Sequence, residues 1–487
     1  MAAQAGVAAG SEASAAAAVA VLRRGGNAVD AALAAGFAGA VAEPGLTSLG
    51  GGGFLLLRAS DGEHQALDFF VDAPGHGLEP GRTPHFTPVL VTFAGAEQVF
   101  HAGWGSVAVP GCLDGYLTAH RRHGRLPLAD VVAPAVSYAR DGVELAAHQA
   151  QVLGLLTGIV TLTQTGRELF APDGFVVAAG ARLHNRALAD LLDQLADGTI
   201  SGVASASVAD PLVAAMAEHN GLLTSADLAG YRPVSRTPLT MTYRKARIAT
   251  NPPPSFGGSI LTGALAELSQ GPGVTASNSD TRRLVEALIV ATDRRKAVSQ
   301  APQSTRGTTH VSVVDSEGLM VSMTTSNGSC SGVFAPGTGV QLNNVLGEDD
   351  LHPDGFHAVP AGTRIGSMMS PTIVERPDGS VVALGSGGSQ RIRSALLQVV
   401  VHLVDHGLDV DAAVEAPRLH WDGRQVQAEP GWTDAAVEAI AQWAPVNRWG
   451  QRDLYFGGVQ AVAVDPTGRV SAKGDPRRGG VGLVVDL

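Results

Sequence analysis

The chain changes texture near residue 307, and this change constrains its fold more than any other feature. Beyond that point, short stretches of apolar and polar alternation recur, separated by turn residues. His310–Asp315 alternates, Ser316–Glu317–Gly318 turns, and Leu319–Thr324 alternates again. The pattern repeats at Thr372–Glu375, Pro377–Asp378–Gly379 and Val381–Leu384, and at Val459–Val464, Asp465–Pro466–Thr467–Gly468 and Arg469–Ala472. A period of two marks strands with one buried face, so these are three predicted β-hairpins. Between them, Ile392–His406 carries a helical stripe of Leu396, Leu397, Val400, Leu403 and Val404. Before residue 307 helical patterns dominate. Ser11 caps a helix over 12–24, and Asn27 caps a second that ends at Glu43–Pro44. Further helices are expected over 113–122, 129–140, 186–196, 208–218 and 282–299, and residues 300–307 read as an irregular linker. Hairpins with covering helices predict an α+β fold of antiparallel sheets faced by helix layers.

Composition narrows the function classes. The chain has 34 Lys and Arg against 45 Asp and Glu, a net charge of −11, which argues against nucleic acid as a partner. Hydrophobic residues at 45% with only 16% charged residues imply a large core, in two or three domains or one large layered body. Cys112 and Cys330 are too few for a disulfide framework and read as buried thiols. No apolar run reaches the roughly 18 residues of a membrane span. At the start of the chain Arg23 and Arg24 follow the Ala-rich stretch, the reverse of a secretory signal. A cytoplasmic location is therefore expected, with a trimmed leader as the alternative.

Several site types are absent: no GxxxxGK[ST] loop, no GxSxG elbow and no HExxH. Glu348, Asp349, Asp350, His352, Asp354 and His357 could ligate a divalent cation, but they lack EF-hand spacing and read better as a solvated acidic loop. His120 and His123 lie on an Arg-rich helix face and read as surface residues. No metal and no cofactor is expected.

Arg306–Gly307–Thr308–Thr309–His310 lies where the irregular segment meets the first hairpin strand. A Thr hydroxyl is a weak nucleophile that needs an adjacent base. Were the Gly307–Thr308 bond cut, Thr308 would gain an α-amine with a pKa of roughly 7.7–8.0. That amine could take the hydroxyl's proton, so one residue would supply both nucleophile and base. Gly307 suits the cut, since it tolerates strained backbone and leaves its carbonyl open to attack. The triplet alone is weak evidence and by itself reads as an ordinary strand start.

A series of blocks in fixed order resembles the γ-glutamyltranspeptidase family of N-terminal-nucleophile (Ntn) hydrolases. The blocks are Gly25–Gly26–Asn27–Ala28–Val29–Asp30–Ala31–Ala32, Glu43–Pro44, Gly50–Gly51–Gly52–Gly53–Phe54, Val109–Pro110–Gly111, and Pro252–Pro253–Pro254–Ser255–Phe256–Gly257–Gly258. Thr308–Thr309–His310 with Ser312–Asp315, Pro336–Gly339, Asn343–Asn344, Met369–Thr372, Gly385–Ser389 and Ala416–Pro417–Arg418 follow. The resemblance implies a four-layer αββα sandwich with an additional helical region, cut between Gly307 and Thr308. The products would be a large segment, 1–307, and a small one, 308–487, held as a heterodimer, with pairing of two such heterodimers left open. Thr308 would be the nucleophile, a hydroxyl from Thr325 or Ser326 would hydrogen-bond it, and Gly388 and Ser389 would donate the oxyanion-hole N–H groups beside Gly387. Asn327, Glu348, Ser367 and Met368 would lie at substrate-binding positions.

The sequence departs from the family where it holds glutamate. The family's Arg, in a motif reading Asp-Phe-Arg-Glu-x-Ala-Pro, binds the substrate α-carboxylate; here the motif is Asp68–Phe69–Phe70–Val71–Asp72–Ala73–Pro74, with Phe70 at the Arg position. A phenyl ring cannot replace a bidentate guanidinium–carboxylate pair. The family's serine pair is Ser367–Met368, and its substrate-amine acid is Glu348. The lid after Asn343–Asn344 and the segment before Thr308 are both shorter than in the family. Arg364 or Arg391 could still offer a cation, although a structural role competes for Arg391. The expectation is an acyl hydrolase or transferase acting on a small molecule, with altered, non-glutamyl specificity. Branches of the family that cleave cephalosporin-type amides, or a C–C bond in alkylproline antibiotic pathways, are the alternatives. An uncleaved binding protein is the reading from another class.

Overall fold

The computed structural model describes residues 4–79, 82–93, 96–274, 278–293, 307–348, 351–352 and 355–487. Two antiparallel sheets face each other. The first runs Val481–Asp486, Gln4–Ala9, Gly307–Val314, Met320–Gly328, Gly52–Arg58, His64–Phe69 and Val234–Arg236. The second runs Val470–Lys473, Gly458–Val464, Val381–Gly387, Thr372–Glu375, Ala246–Thr250 and Leu239–Tyr243. All three predicted hairpins are present. Both sheets combine strands from before and after residue 307.

Helices cover both outer faces. Glu12–Arg23, Ala28–Ala42, Cys112–His123, Leu128–Asp141 and Arg186–Ala196 share a core with the outward residues of the first sheet, among them Val311, Val313, Val321 and Met323. Gly257–Ser269, Asn278–Asp293 and Arg391–Val404 cover the second sheet. Local sequence explains the helix starts. Ser11 Oγ accepts from Ser14 N–H, and Asn27 with Asp30 forms a capping box. The predicted helix end at 294–299 and the linker residues 300–306 lie outside the described residues.

One element departs from expectation. The opening of the chain, read as two helices only, begins with the strand Gln4–Ala9 in the heart of the first sheet. Its small side chains carry no strand signature, and at Gly6 and Ala8, which face the gap between the sheets, there is no room for larger ones. A Cβ on Gly6 would come within 2.6 Å of Val470. The same crowding settles what Gly50–Gly53 do. A Cβ at Gly51 would overlap the Ser326 carbonyl, and one at Gly52 would lie 2.9 Å from Phe70 Cα. Both cysteines are buried free thiols.

Candidate active site

Alternation along Gly307–Val314 sends Val311 and Val313 to the helices, and so turns Thr308, His310, Ser312 and Val314 toward the second sheet. On the partner strand Met320, Ser322, Thr324 and Ser326 face the same way. His310 lies between Thr324 Oγ1 at 2.8 Å and Ser312 Oγ at 2.9 Å. Complete burial pushes its pKa down to about 3, so the ring is neutral. Ser312 and Ser322 donate to the Gln460 and Leu384 carbonyls of the opposite sheet at 3.1 and 2.9 Å.

Thr308 and Ser326 are paired across the hairpin, with a register irregularity between Gly307 and Thr308. Thr308 Oγ1 donates to Ser326 Oγ at 3.3 Å, and Ser326 Oγ donates to the Gly307 carbonyl at 2.6 Å while accepting Gly328 N–H at 3.0 Å. A serine hydroxyl has one proton, and here it is committed to the carbonyl that precedes Thr308. Gly307 must be glycine, since a Cβ would overlap the Gly45 carbonyl. Of the two hydroxyls expected near Thr308, Ser326 is the one that meets it. Thr325 points to the opposite face, where its Oγ1 is 2.9 Å from Thr47 Oγ1.

The strand Val381–Gly387 ends against Thr308. A Cβ at Gly387 would overlap the Thr308 carbonyl oxygen. The chain then turns through Gly388 (φ +128°) and Ser389 (φ +53°) into the helix Arg391–Val404. Only glycine adopts the first conformation readily, and the turn sets backbone N–H groups at the positive end of a helix. Arg391 donates Nε–H to the Tyr455 carbonyl at 3.0 Å and covers that ring at 4.9 Å.

The remaining predicted positions divide. Glu348 is buried, and a Cβ on Gly328, two residues past Ser326, would lie 2.7 Å from its Oε1. Phe70 is buried beside Gly52 and stacks on Phe54 with ring centroids 5.6 Å apart, in the same apolar cluster as Met368. Ser367 accepts Met369 N–H at its hydroxyl and Phe256 and Gly257 N–H at its carbonyl. The Asn327 amide donates to the Leu342 carbonyl at 3.3 Å. Arg364 is not available as a free cation. Its guanidinium bonds Asp68 Oδ1 at 2.6 Å and Asp72, donates to the Arg232 carbonyl at 2.9 Å, and lies over Tyr231. Among the described residues no group of three His, Cys, Asp or Glu could hold a metal ion. His352 meets the Val345 carbonyl at 2.9 Å and His357 stacks on Phe86, while Asp349, Asp350 and Asp354 lie outside the described residues.

Sequence reasoning missed one group here. Arg478, in the turn Pro476–Arg478, is buried, and its Nη2 is 3.2 Å from where a Gly388 Cβ would be. The run Asp475–Pro476–Arg477–Arg478–Gly479–Gly480 offered a signal only in its paired arginines.

A two-sheet sandwich with the Thr308 hydroxyl at one sheet end and a glycine turn opposite is the arrangement of an Ntn-hydrolase-type site. The gamma-glutamyltranspeptidase family model matches residues 14–305 and 293–485, and the chain belongs to that family of enzymes. It is similar to the acylase ACY 1 proenzyme of Pseudomonas sp. (strain SE83), 31% identical over 93% of this chain and 88% of that protein. The glutathione hydrolase proenzyme of Escherichia coli (strain K12) is 29% identical over 94% and 87%. Among solved structures, a cephalosporin acylase from Bacillus halodurans superposes with a TM-score of 0.82 at 26% identity, covering 99% of this chain and 96% of that one.

Proposed function

We propose that the chain cuts itself between Gly307 and Thr308 and then acts as an acyl hydrolase or transferase through Thr308. The observation that carries this is the double use of Ser326, which accepts from the Thr308 hydroxyl and donates to the Gly307 carbonyl. In the first reaction Thr308 Oγ1 bonds to the Gly307 carbonyl carbon, and the carbonyl electron pair moves onto the oxygen that Ser326 holds. Collapse breaks the C–N bond, and the nitrogen takes the hydroxyl's proton. Water hydrolyses the resulting ester, leaving a Gly307 carboxylate and a free Thr308 amine. The name proenzyme, carried by the acylase and glutathione hydrolase relatives, supports this order of events.

In the second reaction the amine accepts the Oγ1 proton as the hydroxyl attacks a substrate carbonyl. N–H groups of Gly388 and Ser389 hold the oxyanion at the helix terminus. Collapse releases an amine leaving group, which takes the proton back, and water or an acceptor amine repeats the sequence to free the acyl group. The mature protein is then a heterodimer of residues 1–307 and 308–487 acting on a small molecule.

The acyl pocket is read as apolar. Phe70 occupies the carboxylate-binding position, packs on Phe54, and shares a cluster with Met368. Arg364, the nearby cation of that strand edge, is neutralised by Asp68 and Asp72. These features and the acylase relatives favour an uncharged or weakly polar acyl amide over a γ-glutamyl one. Hexanoyl p-nitroanilide should exceed γ-glutamyl p-nitroanilide in kcat/KM by about tenfold or more. Brisk turnover of the γ-glutamyl compound would overturn the specificity reading. A single full-length band on denaturing electrophoresis of the wild type would overturn the nucleophile reading.

A further inference from the structure

The space between the sheets at the nucleophile end holds one cation that nothing in the reaction so far employs. Arg478 is buried, and its aliphatic stem runs across the bare backbone of Gly458, where a Cβ would lie 2.8–3.0 Å from its Cβ, Cγ and Cδ. Gly458 pairs with Gly387 across the strands, so the guanidinium emerges beside the glycine turn. The missing Gly387 Cβ marks a point in overlap with the Thr308 carbonyl oxygen and 3.6 Å from Arg478 Nη1. Nε–H donates to the Leu454 carbonyl at 3.1 Å, whereas Nη2 is buried without a hydrogen-bond partner. No carboxylate among the described residues forms an ion pair with this guanidinium. A buried charge left in this way is costly, so the fold retains it against a penalty.

The charged groups around it set the local field. Arg391 and Arg418 are positive, Asp475 and Asp453 are negative, and His148 packs beside Gly479. Asp475 is already bonded to Arg418 at 2.6 Å and to Arg477 at 3.3 Å. Burial and Arg391 push the Arg478 pKa down to about 9, which leaves it charged at neutral pH. Burial and Arg478 push His148 down to about 4, so that ring adds no charge there. On the nucleophile's own side, His310 is neutral, Glu348 stands beyond Gly328, and Glu43 lies on the opposite face of the strand with Ser11 and Ser14.

We propose that Arg478 is the electrostatic positioning residue of the site: held beside Gly387–Gly388, its charge favours the oxyanion at that turn and keeps the Thr308 amine in its neutral, proton-accepting form. This rests on Thr308 being the processed nucleophile. A positive charge opposes a second one nearby and favours a developing negative one. Two unit charges about 10 Å apart in an effective dielectric of about 20 shift each other's pKa by roughly one pH unit, so removing the cation raises the amine pKa by about that much.

The test uses p-nitrophenyl acetate as a substrate-independent acyl donor. Burst release of p-nitrophenol and acetylation of the 308–487 chain, read by mass spectrometry, report acylation of Thr308 as a function of pH. In Arg478→Met the acid limb of the burst rate should move up by about one pH unit, with a plateau about 10- to 100-fold lower. Arg478→Lys should return the limb close to its wild-type position. A limb that stays in place in a cleaved, folded Arg478→Met overturns the proposal. If that variant does not fold, a limb in Arg478→Lys that moves as far as about one unit, despite the retained charge, overturns it equally. Wild-type protein that remains uncut, or that is cut but never acetylated, overturns the nucleophile reading and this inference with it. A cut and acetylated wild type with charge-independent limbs overturns only this one.

Discussion

The gap between the two sheets has two ends built on opposite terms. At one, Val314, Met320, Ile373, Ala383 and Val462 form a closed apolar cluster. At the other, the same strands turn Thr308, His310, Ser312, Ser322, Thr324 and Ser326 into the gap, facing Gly385 and Gly387. Both ends obey one strand alternation, so the backbone is shared and only the side-chain chemistry differs. The apolar end gains stability from area removed from water. The polar end spends it to fix hydroxyls, a neutral imidazole and a guanidinium at defined positions. A site of this kind is precise because it sits on strands, with its supporting residues clamped by the same two sheets.

Substitutions at the two ends should separate these roles. Thr308→Ala should abolish cutting altogether, leaving one band on denaturing electrophoresis with the fold intact by circular dichroism. Ser326→Ala removes the donor to the Gly307 carbonyl and should slow the appearance of the two fragments by about 10²-fold or more. Gly387→Ala drives a methyl group into the Thr308 carbonyl and should slow the same time course by about 10²-fold through misplacement. Cutting at the wild-type rate in either variant would show that the polar end does not position the reaction.

Ile373→Ala, at the apolar end, should cost about 2–5 kcal/mol in urea unfolding of the uncut Thr308→Ala protein and leave the cutting rate unchanged in the cleavable chain. The smallest change per step concerns pH. His310 is held neutral by burial, with its pKa lowered from 6.5 to about 3. Its contribution is full above pH 6.5, where both states are neutral. As the pH falls from there toward 3 the unfolded chain takes up the proton first, and stability drops by about 1.4 kcal/mol per pH unit. Urea midpoints of the uncut Thr308→Ala protein should follow that slope, and a His310→Gln change in the same background should flatten it.

How much of this was legible in the sequence follows from the same contrast. The hairpins and capped helices were readable because alternation and caps are local signals. The glycine turn and Thr308 were nominated through the order of motif blocks. Gln4–Ala9 was missed because its small residues answer to a space formed by strands hundreds of positions away. The choice between Thr325 and Ser326 needed the register, since neighbouring residues on a strand face opposite ways. Arg478 could not be placed at all without knowing that Gly458 and Gly387 leave a channel for its stem.

The strand Gln4–Ala9 lies hydrogen-bonded between Val481–Asp486 and Gly307–Val314. A cut after residue 307 therefore leaves a sheet whose neighbours belong to different molecules. The protein folds as one chain but, once melted, would have to find its other half by diffusion. The mature enzyme is thus expected to remember its history: its melting should be one-way and its recovery dependent on concentration, while the uncut Thr308→Ala form refolds unimolecularly.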